Sequence, residues 1–162
     1  MNNKPTTAEI VILAAGAAAV LFSFFDWLDF GFGGAANAWD SGLFPTYTLI
    51  AILGAVMAVV IVLEVFANTK LPEGVLGFTW PQLHLVLAVY AALLAVSFLL
   101  VDKSTADMAI GYFISLVAAI GLVVGAYMLG QERPAGVRTA PAAGPGPGMP
   151  PAAPQPPPPP PA

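Results

Sequence analysis

Among the residues of this 162-residue chain, Glu64 and His84 have the widest chemical reach. Glu64 lies inside an apolar run with only Val65, Phe66 and Ala67 before Asn68, and His84 stands at the start of another such run. A carboxylate and an imidazole at similar depth on neighbouring membrane helices can relay a proton or simply join two helices by a hydrogen bond. No further polar group continues a path from them along the apolar runs, so packing is the expected role. A small channel or proton-coupled carrier using Glu64 and His84 is the alternative. Asp26 and Asp29 stand three residues apart, with Asp40 further on. Three carboxylates suit a divalent cation, but a solvated acidic helix end needs no ligand and is the plainer reading. With no Cys and one His, neither a thiolate site nor a multi-histidine site is available, and no metal or cofactor is expected. The chain has no Walker A sequence, no helical His and Glu metalloprotease motif and no Ser, His and Asp set, so it is not read as an enzyme.

The elements that must carry these residues follow from composition. Hydrophobic residues make up 58% of the chain and charged ones 9%, against about 25% charged in an ordinary soluble domain. So few charges cannot cover a soluble surface, which points to a lipid bilayer as solvent. A net charge of −4 leaves no means of neutralising a run of phosphates, which excludes nucleic acid as a partner. Four uninterrupted apolar stretches, about 10–28, 46–67, 82–101 and 108–129, approach the roughly 20 residues that a helix needs to cross a bilayer. They lack the alternation of barrel strands, and a backbone in lipid must satisfy its own hydrogen bonds. The expectation is an all-α membrane protein: a short N-terminus over 1–9, a four-transmembrane-helix bundle over 10–130 and a tail over 131–162.

Helix punctuation supports these limits. Thr6 with Glu9, and Thr79 with Gln82, have capping-box spacing, and Pro81 falls in a first turn where its missing N–H costs nothing. Pro45 opens the second span similarly, and Ser104 with Asp107 is a looser cap for the fourth. The first run is too long, and too aromatic at its end, for a cleaved signal peptide. Placing the N-terminus inside makes Lys4, Lys70, Arg133 and Arg138 cytoplasmic and leaves Lys103 outside, as the positive-inside rule prefers. Trp27 and Trp39 are then expected at the outer interface and Trp80 at the inner one.

Packing signals are plentiful. Ala14 to Ala19 is a stretch of small residues, Gly54 and Ala58 are four apart, and Gly121 with Gly125 forms a GxxxG pair continued by Gly111. Such surfaces let helix backbones approach closely, within one bundle or between two copies. Of the 17 prolines, 13 lie at or beyond Pro134, and they end in Pro156, Pro157, Pro158, Pro159, Pro160 and Pro161. A segment so rich in Pro, Ala and Gly is expected to be disordered with polyproline II character, as a spacer or a cytoplasmic partner's docking rod.

Four short-looped spans, an acidic and aromatic first outer loop from Phe24 to Gly42, and a Pro, Ala and Gly tail resemble the small proline-tailed tetraspan membrane proteins of actinobacteria. The resemblance is architectural, covers the whole chain and carries no site residue with it. It implies interaction with cell-division or envelope machinery. Abundant packing surface without catalytic chemistry makes the expected function a plasma-membrane scaffold or accessory subunit that binds other membrane proteins or itself.

Overall fold

The computed structural model describes residues 4–67, 69, 71–72, 74–75, 77–101 and 106–133. Helix α1 (Thr7–Phe22) starts at the expected capping box. The Thr6 N–H donates to Glu9 Oε2 at 2.7 Å and the Glu9 N–H to Thr6 Oγ1 at 3.4 Å, satisfying two otherwise orphaned donors. The helix stops six residues short of Leu28. Phe24 and Phe25 turn the chain, and Asp26–Gly31 forms strand β1, antiparallel to β2 (Gly34–Asn37). The tight connection needs positive φ at Gly31 (69°), Phe32 (48°) and Gly33 (85°), a region that glycine enters freely. This overturns the reading of residues 26–28 as the end of a membrane helix. An aromatic-rich segment suits a pleated strand once partners exist to pair with it.

Helices α2 (Thr48–Val65) and α3 (Trp80–Leu100) fall close to their expected limits, with Pro81 in the first turn of α3 and Gln82 Oε1 accepting the Thr79 N–H at 3.0 Å. A two-residue strand β3 (Asp107–Met108) precedes α4 (Ile110–Glu132) and pairs antiparallel with β1, giving the sheet order β2-β1-β3. The cap of α4 is Ala109, whose N–H donates to the Trp27 carbonyl at 2.9 Å; Ser104 lies outside the described residues. The chain is thus mostly helical rather than all-α, with a small sheet at one end. Helices α2, α3 and α4 are long and apolar enough to cross a membrane, whereas the apolar α1 is shorter. At 1.5 Å per residue its 16 residues rise about 24 Å.

Helix α1 packs on α2 and α4, and α3 closes the ring between the same two. Small residues set the closest approaches. A Cβ on Gly16 would lie 2.5 Å from the Gly54 carbonyl oxygen and 3.0 Å from the Ala58 Cβ. Likewise, a Cβ on Gly125 would meet Ile12 at 2.8 Å, and one on Gly121 would meet the Ala15 Cβ at 3.1 Å. The Ala14–Ala19 stretch therefore serves as the shared seat for two neighbours. Gly111 differs, because a Cβ there would lie 2.6 Å from the Asp26 carbonyl oxygen; it admits β1 rather than a helix.

Two core layers result. Ile12, Met57, Ile61, Leu122 and Leu129 fill the half of the bundle near the N-terminus of α1. Trp27, Ile50, Phe98 and Tyr112 fill the half beneath the sheet. Outward-facing positions are apolar: Val56, Val59 and Val62 on α2, Val86 and Val89 on α3, and Val117, Ile120 and Val124 on α4 are all exposed. Glu9, Thr48, His84 and Ser115 are buried instead. Apolar outside with polar inside reverses the pattern that water imposes on a helical bundle.

Candidate functional site

Because successive helices run up and down, the start of α1 and the ends of α2 and α4 share one end of the bundle. Three charged residues meet there. Arg133, just past α4, donates through Nη1 to Glu64 Oε2 at 2.9 Å and through Nη2 to Glu9 Oε1. Glu9 is buried, and both its oxygens are engaged, one by Arg133 and one by the Thr6 N–H. Burial of Arg133 opposes its charge, but hydrogen bonding and attraction from Glu64, and then from Glu9, outweigh it and raise the guanidinium pKa above its ordinary value. The planar fork allows one cation to hold carboxylates from two other helices. The clamp was not anticipated from sequence, although each member stands within one turn of the same bundle end.

His84 is buried at this end, and its Nδ1 lies 2.8 Å from the Trp80 carbonyl oxygen. A carbonyl only accepts, so Nδ1 carries the proton in this contact. Its Nε2 has no hydrogen-bond partner among the described residues. Glu64 is instead taken by Arg133, so the two side chains expected as a pair are not joined. Membership of similar turns does not make two residues face each other, because position around each helix axis also counts. Beside the clamp, a cavity of about 230 Å³ between α3 and α4 is lined by Gln82, Leu85, Tyr127 and Arg133, among others.

The sheet end is aromatic. Trp27, expected at an interface, is wholly buried, with ring centroids 5.4 Å from Phe98 and 5.6 Å from Tyr112, both edge to face. Its indole N–H donates to the Phe22 carbonyl at 3.2 Å, and the Tyr112 hydroxyl to the Ala95 carbonyl at 3.0 Å. Thr48 donates its hydroxyl to the Ala38 carbonyl, tying α2 to the segment after β2. Trp39 remains exposed; it stacks on Phe24 at 5.3 Å and donates to Ser23 Oγ at 2.9 Å. Trp80 donates to the Pro72 carbonyl at 2.8 Å.

Two of the three aspartates serve the backbone, each separately. Asp26 and Asp29 lie on β1 rather than on a helical face; Asp29 accepts the Gly31 N–H at 2.8 Å, and Asp40 the Asn37 N–H at 2.7 Å. Asp26 and Asp29 line a cavity of about 370 Å³ beneath the hairpin. No group of three His, Cys, Asp or Glu among the described residues is placed to hold a metal ion. The proline run from Pro156 to Pro161, expected as a partner rod, lies outside the described residues, as does the rest of the tail from Pro134.

What this arrangement achieves is positional: a charged clamp ties three helices at one end, and an aromatic cluster ties three helices to a sheet at the other. No protein-family model matches the chain, and no curated protein or solved structure matches it.

Proposed function

We propose that the chain is a multi-pass plasma-membrane protein with both termini cytoplasmic. In this reading it acts without catalysis, as a scaffold or accessory subunit for other membrane, envelope or cell-division proteins. The observation that carries the reading is the inverted surface: the helices turn valines and leucines outward and keep Glu9, His84, Thr48 and Ser115 inside. In hydrocarbon this is the favourable distribution, because exposed polar groups there find no water. The short α1 fits as well, since the stacked Phe24 and Trp39 beyond its end suit the bilayer interface, where aromatic rings settle. Arg133 and Lys4 share the terminal end, in keeping with a cytoplasmic face there.

The scaffold role is supported by how the polar groups are used. Glu64 and Arg133 hold helices together, and His84 is hydrogen-bonded within its own helix, so the pair that motivated a carrier is not assembled. Affinity purification from native membranes, with the full chain and with a version ending at Arg133, tests the proposal. Specific membrane or envelope partners are expected with the full chain, and comparison of the two assigns them to bundle or tail. A clean monomer without partners in both cases sinks the scaffold reading, and proton or ion flux in liposomes that is lost on Glu64→Gln replaces it with the carrier.

A further inference from the structure

Tyr90 is the central residue of α3, with about 15 Å of helix on either side. It is 48% exposed on an otherwise apolar outer face. Its hydroxyl makes no hydrogen bond among the described residues, in contrast to Tyr112, whose hydroxyl is satisfied inside the bundle. Tyrosines on membrane helices normally sit near the ends, where the hydroxyl reaches water or headgroups. Tyr127, exposed on α4, stands six residues before Arg133 and is close enough to its helix end to do so. Tyr90 is not. If α3 spans a bilayer, this phenol faces the middle of the hydrocarbon, where an unpartnered polar group is costly.

The surface around it is shaped for packing. Leu85, Val86, Val89, Tyr90 and Leu93 line a shallow apolar groove of about 410 Å³ along this single helix. Helix α3 is also the least covered of the three long helices. The close-packing glycines Gly54, Gly121 and Gly125 are all spent against α1, so they are not free to receive another helix.

We propose that this face of α3 is the interface between two copies of the chain, with Tyr90 opposite Tyr90. The inference rests on the membrane reading above. Copies inserted the same way are related by a two-fold axis along the membrane normal, which brings residues of equal depth together. A phenol both donates and accepts, so at the axis one Tyr90 hydroxyl can donate to the other, a hydrogen bond at a depth where lipid tails have nothing to offer. Val86, Val89 and Leu93 then fill the grooves on either side.

The chain has no cysteine, so single cysteines can be placed cleanly. Val89→Cys and Leu93→Cys on α3, and Val117→Cys and Val124→Cys on α4, are oxidised in native membranes after alkaline carbonate washing. Covalent dimers are expected from the α3 positions and not from the α4 positions. Tyr90→Phe, which keeps the ring, is expected to weaken the dimer roughly three- to tenfold, as for one interhelical hydrogen bond in a membrane. Release of the protein by carbonate overturns the membrane reading and the dimer with it. Retention without α3 dimers, equal crosslinking at α4, adducts with a different protein, or no effect of Tyr90→Phe overturns the dimer alone.

Discussion

Replacing Arg133 with Met removes the cation from the Glu9–Arg133–Glu64 clamp while keeping a long side chain. Glu9 is the member that decides the cost, because its side chain is 3% exposed and loses its only charge partner among the described residues. Breaking a fully buried pair costs about 3–5 kcal/mol. Arg133 is 38% and Glu64 18% exposed, so solvent screens part of the interaction and Glu64 can turn to water. The Thr6 N–H also continues to stabilise Glu9. The expected loss is therefore about 2–3 kcal/mol, read by reversible unfolding in mixed micelles. Glu9→Gln combined with Arg133→Met is expected to recover at least about 1 kcal/mol, because no buried charge is left unpaired. Arg133→Lys recovers less than the native residue, since one ammonium cannot span two carboxylates as a fork does. Stability of Arg133→Met within about 0.5 kcal/mol of the parent, or a double-mutant cycle without coupling, would refute the clamp as a stabilising element.

Three further outcomes follow from the packing. Gly16→Val drives a side chain into the Gly54 backbone and is expected to destabilise by about 1–3 kcal/mol, whereas Gly130→Ala, with open space around it, is expected to be neutral or mildly stabilising in the same assay. Trp27→Ala empties the aromatic core and is expected to cost about 3–5 kcal/mol with loss of near-ultraviolet circular dichroism; Trp27→Phe should cost less. Thr48→Val leaves the Ala38 carbonyl without its hydroxyl donor, and faster amide hydrogen exchange around β2 is the expected result, at a cost of about 1–2 kcal/mol.

The legible parts of the fold were those decided locally. Expected spans of 46–67 and 82–101 correspond to α2 (Thr48–Val65) and α3 (Trp80–Leu100), because an apolar run with capping residues at its ends announces a helix without help from elsewhere. The first span misled for the opposite reason. Phe24 to Leu28 is as apolar as a helix end, and hydrophobicity does not distinguish helix from strand over so few residues. What makes Asp26–Gly31 a strand is antiparallel pairing on both edges, with β2 across the glycine turn and with β3, which enters from far along the chain. Likewise, Glu64 and His84 share an end of the bundle, but the angle at which each helix packs turned Glu64 towards Arg133.

By itself, then, the sequence determined the apolar helical character, the placement of charges near helix ends and the presence of surfaces small enough for close packing. Each is a property of a residue and its near neighbours, and so survives without knowledge of the fold. Tertiary structure alone decided which small residues met, that Trp27 went inside, and that one arginine would serve two carboxylates. Those outcomes depend on which helix faces which and at what rotation, a relation between distant segments that composition and spacing do not encode.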